Sequence, residues 1–217
     1  TNPGSTLALT AGIDSLTGTS AADTFNATAD GNLSEDDTLN GGDGADTLII
    51  RDLDNSTGAF TSSNIETIDV RFETTGQTLS LENVTGVTSV IYDATSSATN
   101  TISSALLSNA LTLKNIGAGA NATLNYDFTN GQFDGTNTFA LKVDNVDDAM
   151  TLSLDASGTD EAIETLTIDV ESNSEGVIGL SDEGLNAETV TITGSGEFLL
   201  GAAGAGLTSG TVNASGN

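Results

Sequence analysis

The chain has 217 residues, with 31 acidic and four basic side chains, and a net charge of −27. This charge excludes nucleic acid and anionic membrane surfaces as partners and makes cations the natural counterpart. Histidine and cysteine are both absent, which excludes Ser-His-Asp and Cys-His catalysis and histidine-ligated zinc.

The remaining composition points to a non-enzymatic β protein. Hydrophobic residues make up 36% of the chain, enough for a modest aliphatic core, and no apolar run approaches the ~20 residues of a membrane-spanning helix. Paired carboxylates that hydrolyse glycosides usually lie in clefts lined by aromatic rings. With seven Phe, two Tyr and no Trp, we expect no enzymatic activity.

The first 50 residues carry a repeated unit in which an aspartate stands two positions before an apolar residue. Residues 1–10 predict a lead-in strand. The unit then recurs at spacings of 9, 14 and 9 residues, so that two nonapeptide pairs flank a five-residue insertion near 26–34. Stacked coils would place carboxylate above carboxylate, an arrangement that a cation between them stabilises. The four units are Asp14/Leu16, Asp23/Phe25, Asp37/Leu39 and Asp46/Leu48.

One of these units is a complete calcium motif. Residues 41–49 match the nonapeptide GGxGxDxUx of calcium-binding parallel β-rolls at every defined position. Its glycines allow a tight turn that aims carbonyls at a cation, and Asp46 supplies a carboxylate. We expect Asp37 and Asp46 to ligate Ca²⁺ together with carbonyls of the turn. The wider set of candidate ligands is Asp14, Asp23, Asp37, Gly41, Gly42, Asp43, Gly44 and Asp46. The alternative is four Asx-turns before four short strands, with no metal.

From residue 51 onward, apolar residues alternate with Thr, Ser, Asn and charged residues, as in half-buried strands. Examples are Ile68/Val70/Phe72, Leu124/Tyr126/Phe128 and Leu166/Ile168/Val170. This spacing suits either a β-sandwich or a parallel β-solenoid. The scarcity of two-residue hairpin turns favours the solenoid. We expect one helical turn within 102–110.

A second candidate calcium loop follows one of these strands. Gly158 would let the chain curl while Asp155 and Asp160 converge. The alternative is a solvated acidic turn. The four basic residues are expected to be surface counter-ions near strand ends: Arg51, Arg71, Lys114 and Lys142.

Residues 12–25 and 37–48 together resemble the repeat-in-toxin (RTX) segment of bacterial surface-layer (S-layer) proteins and related large adhesins, although three of the four units lack the double glycine. The resemblance implies an all-β fold: an RTX-like calcium-binding segment over 1–50 leading into a parallel β-solenoid, or alternatively a β-sandwich, over 51–217.

The resemblance also implies a function. We expect a fragment of a longer, type I-secreted structural protein that self-associates with calcium into a lattice at the cell surface. Cell-surface polysaccharide would be a further partner, through other parts of the full-length chain. A stalk or binding module of a large RTX adhesin is the alternative, and a calcium-folded module beside an extracellular enzyme is a third reading.

Overall fold

A computed structural model describes most of the chain, and its described part consists of β-strands, turns and loops. The described residues are 3–29, 32–51, 59–94, 97–117, 121–133, 136–155, 163–174, 176–181, 187, 189–197, 199–202 and 211–215. Within these ranges no helix has the length and hydropathy needed to cross a membrane.

One face of the molecule is a ten-stranded parallel sheet that runs the length of the described chain. Its strands follow chain order, each hydrogen-bonded to the next odd-numbered strand. They are β1 (Thr6–Ala8), β3 (Thr24–Ala27), β5 (Thr47–Arg51), β7 (Thr67–Arg71), β9 (Ser89–Asp93), β11 (Ala110–Ile116), β13 (Thr138–Val146), β15 (Thr165–Val170), β17 (Thr189–Gly194) and β19 (Thr211–Ser215).

The opposite face is divided between two shorter parallel sheets. The three-stranded sheet contains β2 (Ser15–Thr17), β4 (Thr38–Asn40) and β6 (Thr61–Ser63). The six-stranded sheet contains β8 (Thr78–Ser80), β10 (Thr99–Ala105), β12 (Ala122–Phe128), β14 (Met150–Asp155), β16 (Val177–Ser181) and β18 (Leu199–Ala202). An isolated bridge between Ser62 and Val84 lies where the first of these sheets ends.

The chain therefore winds as a parallel β-solenoid, as the alternation predicted. Each coil adds one strand to the ten-stranded sheet and one to the opposite face, and every pairing is parallel. The β-sandwich alternative is wrong, because sandwich sheets are built from antiparallel strands. The helical turn expected within 102–110 is also wrong: β10 continues to Ala105, and a hydrogen bond from Asn109 N–H to Leu106 O closes a turn before β11.

Inward-facing apolar residues stack in columns along the solenoid axis. One column in the ten-stranded sheet runs through Phe25, Leu48, Ile68, Val90, Leu111, Leu141 and Ile168. All of these side chains are buried. A residue of one coil thus packs on its counterparts in the coils on either side. The result is a continuous core in which buried rings such as Phe25, Tyr126 and Phe139 lie among aliphatic side chains.

The ten-stranded sheet passes from the glycine-rich segment into the Thr/Ser/Asn-rich region without interruption. The sequence boundary at residue 50 lies inside β5, which pairs with β3 on one side and with β7 on the other. The change between the two regions is visible on the opposite face, where the three-stranded sheet gives way to the six-stranded sheet.

Candidate calcium site

The four repeated aspartates form two rows, one at each corner of the solenoid. Asp14 and Asp37 directly precede β2 and β4, which pair in register, so the two lie one above the other. Asp23 and Asp46 directly precede β3 and β5 in the same way. The predicted stacking of carboxylate on carboxylate is therefore confirmed, with a coil of 23 residues. Asp46 shares its row with Asp23, whereas Asp37 precedes a strand of the opposite face.

Most of these carboxylate oxygens accept hydrogen bonds from the backbone. Asp37 accepts the N–H of Asp14, one coil earlier, at 2.8 Å and the N–H of Ser34 at 2.7 Å. Asp23 likewise accepts the N–H groups of Ser5 and Thr19. Asp23 and Asp37 each cap their own turn and the preceding coil, and both are only 1% exposed, as expected for buried carboxylates whose hydrogen bonds are satisfied.

Asp46 differs from its counterparts because one of its oxygens has no partner. Its Oδ1 accepts the N–H of Asp23 at 2.7 Å, but its Oδ2 is buried with no hydrogen-bond partner. In the preceding coil, the equivalent oxygen, Oδ2 of Asp23, accepts the N–H of Thr19, four residues before the aspartate. The equivalent N–H here belongs to Gly42, and it donates to Asn40 Oδ1 at 3.1 Å instead. The glycine motif therefore leaves a buried carboxylate oxygen free of protein donors.

The turn from residue 41 to 44 lies so close to its neighbours that it accepts only glycine at key positions. A Cβ on Gly41 would come within 2.4 Å of Asp46 Oδ2 and 1.7 Å of Asn64 O. Gly42 and Gly44 adopt φ angles of 96° and 134°, in the region that disfavours other residues. The glycines thus bring backbone to within contact distance of the unpartnered oxygen.

The electrostatic environment of Asp46 disfavours its charged form. Burial raises the pKa of Asp46 above its ordinary value, and the nearby charges of Glu66 and Asp23 add to this rise, although the hydrogen bond from the Asp23 N–H opposes it. By contrast, hydrogen bonds from the Thr19 and Ser5 N–H groups lower the pKa of Asp23. Asp46 is the buried acid of this row whose charge the protein itself compensates least.

The other predicted ligands lie in varied surroundings. Asp43 is exposed at the tip of the glycine turn. Asp14 is half-buried and is bonded within its own turn by the N–H and hydroxyl of Thr10. Asp155 is exposed at the end of β14, in register with Asp127 of β12. Asp160 lies outside the described residues, so the predicted convergence of Asp155 and Asp160 remains a prediction.

Later coils use the same capping device with side chains that the sequence analysis did not single out. Glu66 Oε2 accepts the N–H of Asp46 at 2.7 Å and extends the row of Asp23 and Asp46. Asn100 Oδ1 accepts the N–H of Gln77 at 3.0 Å, and Glu164 Oε2 accepts the N–H of Asn137 at 2.7 Å. The available signal was an Asp, Glu, Asn or Gln just before a strand, or at its start as for Asn100, one coil after a similar residue. Because amides fill this role too, stacked carboxylates alone do not require a metal.

Among the described residues, no three acidic side chains converge on one point, so a cation beside Asp46 would depend on backbone oxygens as well. No protein-family model matches this chain, and a comparison with curated proteins finds no significant match.

Proposed function

We propose that this chain is a calcium-dependent structural segment of a secreted bacterial surface-layer protein. The observation that carries the proposal is the buried, unpartnered Oδ2 of Asp46 beside a turn of three glycines. An orphaned buried anion is costly unless a cation or donor satisfies it. Hard oxygen ligands from one carboxylate and several backbone carbonyls are what calcium prefers.

In this proposal, Asp46 and the backbone carbonyls of residues 41–44 hold the ion. Calcium supplies the positive charge that the chain lacks near Asp23, Asp46 and Glu66. Because burial and neighbouring charges raise the pKa of Asp46, a bound cation would restore its charged form. The capping bonds of Asp14, Asp23 and Asp37 give those residues a structural role, in which they hold the coils that carry the site.

The repetitive architecture supports a structural role on a cell surface. Each coil packs on the next through a parallel sheet and an apolar column, which makes a stiff rod whose length depends on the number of coils. The net charge of −27 opposes assembly of many copies into a lattice until cations neutralise it. Folding of the first coils and assembly would then both depend on extracellular calcium.

Calorimetric titration of chelator-treated protein with calcium tests the site. Asp46→Asn should abolish one binding event, because it removes the charge while preserving the shape of the side chain. Asp36→Asn is the matched control: it removes the same charge from an exposed turn residue and should titrate like the native protein. The absence of binding by native protein, or identical titrations for all three proteins, would refute the site.

Electron microscopy tests assembly separately. The protein should form ordered sheets in calcium but not in sodium chloride of matched ionic strength, since monovalent ions screen charge without bridging carboxylates. Equal assembly in both salts would show that screening is sufficient. Assembly in neither salt would argue against the lattice function.

A further inference from the structure

The outward face of the ten-stranded sheet carries all four basic residues of the chain. Arg51, Arg71, Lys114 and Lys142 lie on β5, β7, β11 and β13. Each alternates with buried residues and therefore points away from the core. On a protein of net charge −27, positive charge is thus concentrated on a single surface.

Strand register sorts the residues on this face into rows that run along the solenoid axis. One row, which we call the charged row, has one charged residue on each of six neighbouring strands: Arg51, Arg71, Asp93, Lys114, Asp144 and Glu171. Glu171 directly follows β15, beside Asp144. Read along the axis, the signs are plus, plus, minus, plus, minus, minus.

This order of signs has a specific symmetry. If it is reversed end to end about the gap between β9 and β11, every positive position meets a negative one. Arg51 falls opposite Glu171, and Arg71 falls opposite Asp144. Asp93 falls opposite Lys114, although Asp93 is only 6% exposed within one molecule, so the first two pairs carry most of the accessible charge. A two-fold axis that lies parallel to the strands, above this gap, performs this reversal between two copies and keeps each row facing itself.

The row beside it, which we call the mixed row, fits the same axis at two of its three positions. Its members are Ile49, Asp69, Ile91, Thr112, Lys142 and Asp169. The reversal places Asp69 opposite Lys142, and Ile91 opposite Thr112 next to the axis. Ile49 falls opposite Asp169, the one position without complementarity. A third row of small side chains permits close approach: Thr47, Thr67, Ser89, Ala110, Ala140 and Thr167.

Ion pairs within one molecule use only part of this charge. Arg51 contacts Asp69 at 2.8 Å, Arg71 contacts Glu73 at 2.8 Å, and Lys142 contacts Glu171 at 2.6 Å. Asp93 lies at a longer distance from both arginines, 3.8 Å from Arg51 and 3.9 Å from Arg71. Lys114 makes no ion pair with another described residue. Arg51 and Arg71 are direct neighbours in register, although like charges at adjacent positions of a sheet are unfavourable. Asp93 of the same molecule offsets part of that cost through its contacts with both arginines, and a second copy that presents Glu171 and Asp144 to this pair would add to the compensation.

We propose that this chain forms a two-fold symmetric dimer through the outward face of its ten-stranded sheet, with the charged rows of the two copies antiparallel. The contact pairs charges that the protein already carries, so it needs no calcium and is distinct from the site at Asp46. Six strands at ~4.8 Å spacing and five residues at ~3.3 Å give a face of about 29 by 16 Å. This is smaller than the roughly 800 Å² per partner of a stable interface, so the dimer is reversible and depends on concentration.

Analytical ultracentrifugation in the presence of a chelator tests the proposal through charge reversal. Arg71→Glu places glutamate opposite Asp144, and Asp144→Arg places arginine opposite Arg71. The two-fold axis repeats each clash, so either change should weaken dimerisation at least about tenfold. The double variant Arg71→Glu/Asp144→Arg has the native net charge and should dimerise like the native protein. Asp36→Arg, a charge reversal on an exposed turn, should leave dimerisation in place.

A native chain that stays monomeric up to about 1 mM, where weak interfaces associate, would overturn the proposal. So would single variants that dimerise like native protein, or a double variant that fails to recover.

A cross-linking experiment avoids any effect of charge reversal on folding. Thr67 and Ala140 lie three strands apart in the row of small side chains and face each other only across the proposed axis. Since the native chain has no cysteine, Thr67→Cys and Ala140→Cys chains can be mixed and treated with a short bis-maleimide. Mixed cross-links should exceed either self cross-link, because each self pair is offset by about 14 Å along the axis. Equal amounts of the three products would refute this geometry.

Discussion

Asp46 accepts a hydrogen bond from the backbone N–H of Asp23 at 2.7 Å, one coil earlier in the chain. The same relationship joins Asp37 to Asp14 and Glu66 to Asp46. A side chain of one coil thus satisfies the backbone of the coil before it, at the corners where the sheet ladder does not reach. These bonds tie adjacent coils together at positions that would otherwise expose or bury unpaired N–H groups.

Removing one of these caps should cost more than an ordinary surface substitution. Asp37→Ala leaves the N–H groups of Asp14 and Ser34 without their acceptor and should lower the free energy of unfolding by about 3 kcal/mol. Asp37→Asn retains one acceptor oxygen and should cost about half as much. Urea denaturation in a chelator measures both. Asp36→Ala, at the exposed neighbouring residue, should fall within about 0.5 kcal/mol of native, and an equal loss there would contradict the capping role.

Gly41 should tolerate no side chain. A Cβ there would lie 1.7 Å from Asn64 O, a contact that only backbone movement can relieve, so Gly41→Ala should destabilise the protein by at least about 2 kcal/mol. A Cβ on Gly117 meets no atom within 4 Å, and Gly117→Ala should be nearly neutral. Thermal unfolding of the two variants checks the contrast. Similar melting temperatures would mean that the stacked turns are looser than described.

Two buried serines should respond in opposite directions to the same substitution. Ser62 is 1% exposed, and its Oγ has no partner, so Ser62→Ala removes an unsatisfied group and should stabilise the protein by roughly 0.5 to 1 kcal/mol. Ser174 is fully buried, and its Oγ accepts the Val146 N–H at 3.3 Å and donates to Val143 O at 3.4 Å. Ser174→Ala should therefore cost about 1 kcal/mol or more. Denaturation midpoints that shift in the same direction would refute this assignment.

Asp127 should lower stability at neutral pH. Burial raises the pKa of Asp127 above its ordinary value of 3.8, and the charge of Asp155 on the neighbouring strand adds to the rise. An acid with a raised folded-state pKa contributes most to stability below 3.8, and this contribution is lost as pH rises through the folded-state value.

Asp127→Asn should therefore be more stable than native at pH 7, by roughly 0.5 kcal/mol for a half-exposed group. This difference in stability should shrink below pH 3.8, where Asp127 is protonated in both the folded and the unfolded state. Melting temperatures of the native and Asp127→Asn proteins, measured from pH 7 to below 3.8, give this difference. A difference that widens at acid pH would contradict a raised pKa for Asp127.

The inward columns of the solenoid were predictable because strand alternation has a fixed period of two. Ile68, Val70 and Leu124 were identified as core residues from neighbours in sequence alone, and all are buried. The lengths of the coils were not predictable. Register partners are 18 residues apart between β1 and β3 but 30 apart between β11 and β13. Corner loops absorb this difference without changing the pattern on the strands.

The candidate site was predictable in part, for the same reason. The glycine motif pointed to Asp46, whose free oxygen follows from local turn geometry. Asp37 caps the N–H of Asp14, a residue 23 positions earlier. This contact could not be predicted from the sequence, because it depends on the length of the coil that separates the two residues. Glu66 was missed because its partner lies 20 positions away and no glycine motif precedes it.

The pairing of each strand with only its nearest coils also determines how the molecule responds to force. Among the described residues, the strands of each sheet are hydrogen-bonded only to the strands of the adjacent coils. The ladder bonds run along the solenoid axis, so a pull applied to both ends loads the outermost coil first. The rod would then unzip from its ends, and a coil of 23 residues would release about 80 Å of chain. Stiffness against bending and weakness against peeling thus arise from the same arrangement.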